Sequence, residues 1–134
     1  MTQSTEVKDD RRYTKEHEWA RLEGNELVVG ITAFAVDQLG DITLVNLDVT
    51  VGAAVEAGQV FGTIESVKTL SDLFAPISGT ITRVNPVLEN SPERVNEDCW
   101  SEGWMVAIQP SDADDVAGLL DAATYRKHVA SLDH

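Results

Sequence analysis

The feature that most restricts the fold is a succession of short runs with strand-like alternation, each closed by turn residues, that continues through most of the 134-residue chain. "HEWARLEGNELVVGIT" reads as a hairpin, with Trp19 and Arg21 before a Gly24-Asn25 turn and Leu27, Val29 and Ile31 on one face after it. "DITLVNLDV" and "GQVFGTIESV" are further strands, joined by the turn-rich "VGAAVEAG". In "LFAPISGTITRV", Pro76 and Gly79 mark a bend between two strand segments, and "GWMVAIQP" is the last strand. "TAFAVDQLG" is a short helix with Thr32 at its N-cap and Gly40 at its end. Beyond Ser111, Val116, Leu119 and Leu120, then Tyr125, Val129 and Leu132, recur at helical spacing, which predicts a C-terminal helix over about 111–132. The pattern predicts an all-β domain with short helices and a helical tail. Residues 1–12 are expected to be a flexible N-terminal segment and 13–134 a single domain, the length being that of one core.

Charge removes several function classes. Ten Lys and Arg face 23 Asp and Glu, a formal net charge of −13, which repels phosphate backbones and argues against nucleic acid. The same field can steer docking onto basic protein surfaces, or serve only solubility. The apolar runs are far shorter than the ~20 residues of a membrane helix. "MTQSTEVKDDRR" has neither an apolar core nor a transit-peptide composition, so the expectation is a cytoplasmic monomer.

Catalytic and metal motifs are absent from the sequence. A single cysteine, Cys99, rules out an internal disulfide, and its acidic neighbours Asp98 and Glu102 disfavour a reactive thiolate. His17, His128 and His134 are scattered, and strand alternation would turn Glu16 and Glu18 away from His17, so a metal site there is disfavoured. A weak internal repeat relates "GAAVEAGQVFGTI" (52–64) to "PERVNEDCWSEGWMVAI" (92–108) and would make the two halves pseudo-twofold related. Between the repeats, in "ESVKTLSDLFAPISG", a lone lysine, Lys68, occupies what reads as a hairpin tip where Gly, Asn or Pro would be usual. A lysine there projects its amine on a rigid support, which suits attachment of a carrier arm, although position alone fits a solvated surface lysine as well.

"ESVKTLSDLFAPISGTI" closely resembles the lipoyl-lysine hairpin of the glycine cleavage H-protein family. The resemblance continues in "YTKEHEWARLEGNELVVGIT", "LGD" at 39–41, "VGAAVEAGQVFGTIES", "VNED", "EGWMVAIQP" and "LLDAATYRKHVA", in order over roughly residues 13–130. It implies a barrel-sandwich hybrid of two antiparallel sheets, with lipoate attached covalently to Lys68. It also implies that Glu65 and Gly52 are recognition features for the lipoate-attaching enzyme, and that Glu18 and Asp72 contact the loaded arm. An arm on the order of 14 Å long would then carry an aminomethyl group from a pyridoxal-phosphate glycine decarboxylase to an aminomethyltransferase, and be reoxidised by dihydrolipoyl dehydrogenase. The chain would be a carrier and not an enzyme.

The sequence departs from the family's usual pattern in "ITAFAVDQLG", "LDVTVG" and "CWS" at 99–101, all outside the lysine hairpin. It resembles equally the H-like lipoate-binding proteins associated with a heterodisulfide-reductase-like sulfur-oxidation complex, in which the arm would carry sulfur intermediates. A small thiol enzyme using Cys99 is a third reading, without a base motif to support it. Biotin carriage is disfavoured because the lysine stands in "SVKT" and not between methionines.

Overall fold

The computed structural model describes residues 7–132 and contains two antiparallel sheets. Strand β1 (Arg12–Tyr13) pairs with β2 (Glu18–Glu23), and β2 turns at Gly24-Asn25 into β3 (Glu26–Ile31). Gly24 has φ 60°, a left-handed conformation at the first loop residue that glycine adopts without steric cost. Helix α1 (Ala33–Leu39) follows. Thr32 caps it by accepting the Ala35 N–H, and Gly40 closes it at φ 79°, both as the sequence predicts.

The remaining strands are β4 (Ile42–Leu47), β5 (Ala54–Val55), β6 (Val60–Ser66), β7 (Leu70–Phe74), β8 (Gly79–Val84) and β9 (Val106–Pro110). The larger sheet runs β1-β2-β3-β9-β8-β5 and the smaller one β4-β6-β7. Val45, Ile64 and Leu73 face inward from the small sheet and are 4%, 1% and 2% exposed, so the apolar core lies between the sheets.

Strand β3 is covered on both faces, where the sequence predicts one. Leu27, Val29 and Ile31 are buried as expected, but so are Val28 and Gly30. Trp19 stands opposite Gly30 in the β2–β3 register, and its ring lies so close that a Cβ on Gly30 would come within 2.6 Å of it. The indole N–H donates to the Cys99 carbonyl at 2.8 Å, and the Arg11 guanidinium lies 4.6 Å from the ring centroid. Arg11 also donates to the Trp100 carbonyl at 2.8 Å and is only 9% exposed. Residues 7–12 therefore depart from the expected flexible segment: Arg11 is packed between tryptophans and Arg12 belongs to β1. The rest of that segment, 1–6, lies outside the described residues.

Two other expectations change. The tail is not one helix over 111–132 but a 3-10 helix (Ala113–Gly118) and a separate α4 (Ala122–Leu132). The break has a cause in β-pairing, since Leu120 exchanges backbone hydrogen bonds with Tyr13 in both directions, at 2.8 and 2.9 Å. The proposed repeat does not recur as structure. Val55 lies on β5, whereas Val95 lies on the one-turn helix α3 (Arg94–Glu97), which follows another single turn, α2 (Val87–Asn90). Both valines are buried, which explains the shared pattern without a shared conformation.

The packing of Trp19 on Gly30 makes a testable contrast. Gly30→Ala should lower the unfolding free energy by about 2–3 kcal/mol, through overpacking against a ring that cannot withdraw. Gly118→Ala, where a new Cβ meets nothing within 4 Å, should change it by less than about 0.5 kcal/mol. Urea denaturation of both variants measures the difference.

Candidate functional site

Lys68 is exposed at the turn between β6 and β7. Ser66 explains why this turn needs neither Gly nor Asn. Its hydroxyl oxygen accepts the N–H of Lys68 at 3.1 Å and of Thr69 at 3.2 Å, while its backbone N–H donates to the Thr69 carbonyl at 2.8 Å. A second anchor comes from outside the hairpin, where the Val67 N–H donates to the Asp41 carbonyl at 3.0 Å.

The joint that holds Asp41 is itself fixed from a distance. Asn96, on α3, donates its amide N–H to the Gly40 carbonyl at 2.9 Å and accepts the Ile42 N–H at 2.8 Å. The Lys68 stem lies against this joint: a Cβ on Gly40 would stand 3.3 Å from Lys68 Cε. Glycine at 40 thus serves both the left-handed helix end and the path of the lysine side chain.

Beside the hairpin is a cavity of about 400 Å³. Its wall takes His17 from just before β2 and Glu18 from its first position, Phe34, Gln38 and Leu39 from α1, Ile64 from β6, Ser71 to Leu73 from β7, and Leu132 from the end of α4. Glu18 and Asp72, the two residues expected to contact an arm, therefore border one cavity. They do so differently. Glu18 sits in the wall at 2% exposure, where its carboxylate accepts the Thr14 hydroxyl at 2.7 Å and the Phe74 N–H at 3.3 Å. Burial pushes its pKa up to about 7 in spite of those two donors. Asp72 is exposed on the edge strand, opposite Thr63, on the same strand face as Leu70, while Leu73 is buried.

The other expected residues lie elsewhere. Glu65 is exposed on β6 just before the turn, in a cross-strand row with Leu44 and Leu70. Gly52, at φ 96°, donates its N–H to the Ile81 carbonyl, which ties it to β8 in the larger sheet and not to the lysine turn. Cys99 is 7% exposed and lies among the core residues. No group of three or more potential metal ligands occurs among the described residues.

Sequence reasoning missed His17 as a cavity residue. Alternation was expected to separate it from Glu18, but its backbone is left-handed at φ 72°, so it precedes the strand and does not alternate with it. Ser71, Gln38 and Leu132 were also missed, because each reaches the cavity only through the tertiary packing.

A profile of the glycine cleavage H-protein family matches residues 11–132. The chain belongs to that family. A glycine cleavage system H protein of Anaeromyxobacter sp. (strain K) is 52% identical over 124 residues, covering 92% of this chain and 96% of the relative. One from Bacteroides fragilis is 53% identical over 115 residues, covering 86% and 90%. The crystal structure of a glycine cleavage system H protein from Mycobacterium marinum superposes with a TM-score of 0.84 at 38% identity, covering 92% of this chain and 99% of that one. The family thus accounts for the two-sheet architecture expected from the sequence, and the sulfur-oxidation alternative gains nothing from these relatives.

The buried carboxylate gives a pH signature. Glu18 holds its proton to higher pH in the folded state than in the unfolded one, so folding binds a proton between its ordinary value of 4.5 and about 7. Its contribution to stability is therefore full below that window and falls as pH rises through it, by roughly 3 kcal/mol. Between pH 5 and 8 the wild type should lose about 2.5 kcal/mol more stability than Glu18→Gln, in which the other titrations are shared. Parallel pH–stability curves for the two proteins would contradict the shift.

Proposed function

We propose that the chain is the lipoyl-carrier component of the glycine cleavage system, with lipoate in amide linkage to Lys68. The observation that carries this reading is an exposed lysine on a turn braced by Ser66, Asp41 and Asn96, next to a cavity that mixes apolar wall with one buried carboxylate. A braced turn holds the attachment point steady while a long side arm moves, which is what transfer between separate active sites requires. When bound, the dithiolane supplies the redox-active disulfide that accepts an aminomethyl group from glycine.

The chain's own residues fit such a group. Phe34, Leu39 and Ile64 offer apolar wall to a hydrocarbon arm, and Gly40 leaves the lysine stem unobstructed. Glu18, buried in the wall and poised near neutrality, gives up its proton to pair with a protonated amine, so that a cationic cargo is held and an uncharged arm is not. Asp72 guards the exposed rim with a second carboxylate. Glu65, beside the turn on the outer face, is accessible to the lipoate-attaching enzyme; Gly52 would be read from the other sheet.

On this reading the partners are glycine decarboxylase, aminomethyltransferase and dihydrolipoyl dehydrogenase, and the chain itself performs no catalysis. It works as a monomer in the cytoplasm. No helix of the described residues is long and apolar enough to cross a membrane.

Incubation with lipoate, ATP and a lipoate ligase should add one lipoyl mass, located at Lys68 by peptide mass spectrometry. The lipoylated chain should then support release of carbon dioxide from glycine by a pyridoxal-phosphate glycine decarboxylase, and both the unmodified chain and Lys68→Arg should not. A lipoylated wild type that stays inert with several decarboxylases would refute the glycine assignment, and efficient modification of Lys68→Arg would refute the attachment site.

A further inference from the structure

Beside Glu18, the cavity wall contains a second ionisable side chain whose state the hydrogen bonds determine. His17 Nδ1 lies 2.8 Å from the Tyr125 hydroxyl, and that hydroxyl lies 2.8 Å from Thr32 Oγ1. Thr32 is fully buried and its oxygen already accepts the Ala35 N–H as the cap of α1. Its own hydroxyl proton has Tyr125 as its acceptor among the described residues.

That fact sets the direction of the whole chain of bonds. If Thr32 donates to Tyr125, the Tyr125 proton goes to His17 Nδ1, and the imidazole carries its proton on Nε2. The reverse order would strand a buried hydroxyl proton without a partner, at the cost of an unmade hydrogen bond. Burial keeps the Tyr125 phenol protonated and able to donate. On the far side of the ring, His17 Nε2 has no hydrogen-bond partner among the described residues and is not sealed from solvent, since no buried side-chain nitrogen or oxygen is left unpaired.

We infer that Thr32, Tyr125 and His17 form a directed hydrogen-bond chain that holds His17 as the Nε2–H tautomer, so that the cavity wall carries an uncharged donor at His17 beside the buried carboxyl of Glu18. The groups around His17 agree with a neutral ring. Burial and the His128 ring of α4, 5.7 Å away, hold its pKa down at about 4, against the acidic Glu16 and Glu18 on its own segment and Asp72 across the cavity. Tyr125 faces it from the same helix as His128. From α1 it meets Phe34 at 4.6 Å, which carries no charge. Two adjacent residues thereby sort a ligand by polarity: acceptor atoms such as an amide oxygen turn to His17, and a primary ammonium turns to Glu18. The tautomer stands without the carrier reading, while its use for an arm rests on that reading.

The test is the histidine ¹H–¹⁵N spectrum of the unmodified protein, with His17→Gln used to assign the His17 signals. The expected result is a protonated Nε2, an Nδ1 shifted as a hydrogen-bond acceptor, and no protonation of His17 down to pH 5.5. In Tyr125→Phe, which keeps the ring stacked 4.5 Å from Tyr13, the Nδ1 acceptor shift should be lost; Thr32→Ser, which keeps the hydroxyl, should preserve it. A proton on Nδ1, a His17 midpoint at or above pH 6, or an Nδ1 signal indifferent to Tyr125→Phe would overturn the inference. Lipoylation should move the His17 Nε2–H resonance. If Lys68 is fully lipoylated and that resonance stays in place, His17 does not meet the arm, although the tautomer holds; if Lys68 accepts no lipoate, the carrier reading fails and the tautomer spectrum is unaffected.

Discussion

Trp19 is the contact on which the larger sheet depends. A ring of that size on the second face of β3 is possible only because residue 30 has no side chain, and once there it shields a strand that would otherwise be half solvated. The indole N–H then needs a buried acceptor, which the Cys99 carbonyl supplies, and the ring face attracts the Arg11 guanidinium. One aromatic side chain thereby ties together the N-terminal residues, the first hairpin and the loop after α3, segments 80 residues apart in the chain.

The candidate site adjoins this framework, since Glu18 precedes Trp19 on β2, but its lysine turn is organised by polar bonds instead. Asn96 grips the backbone on both sides of Asp41, and Asp41 in turn holds the lysine turn. The cavity, by contrast, is lined by side chains from β2, α1, β6, β7 and α4. The lysine turn and the cavity wall are thus built from different residues, so that a substitution in the wall need not disturb the turn.

Much of this was legible in the sequence where a local rule decides the outcome. Thr32 and Gly40 bound α1 because capping is settled within four residues, and Gly24-Asn25 marks the first hairpin for the same reason. Lys68, Glu18 and Asp72 were proposed through family likeness, and no periodicity would have singled them out. What escaped depends on distant partners. The helices α2 and α3 are single turns, too short to show a period, and each is secured by one buried residue, Leu88 or Val95. The C-terminal pattern kept helical spacing across Leu120, yet pairing with Tyr13 broke the helix there. His17 was misread because a single left-handed residue shifts every alternation argument that follows from it.

The resting position of the Lys68 stem on Gly40 bears on what acylation does mechanically. Gly40 ends α1, where the helix dipole leaves a partial negative charge, and a Cβ there would lie 3.8 Å from Lys68 Nζ. The free ammonium is therefore moored at a helix terminus by a weak attraction of a few tenths of a kcal/mol. An amide carries no such charge. On the proposed reading, acylating this lysine would lengthen the side chain and also cast it off, so that the chemistry installing an arm would be at the same time the step that sets it swinging.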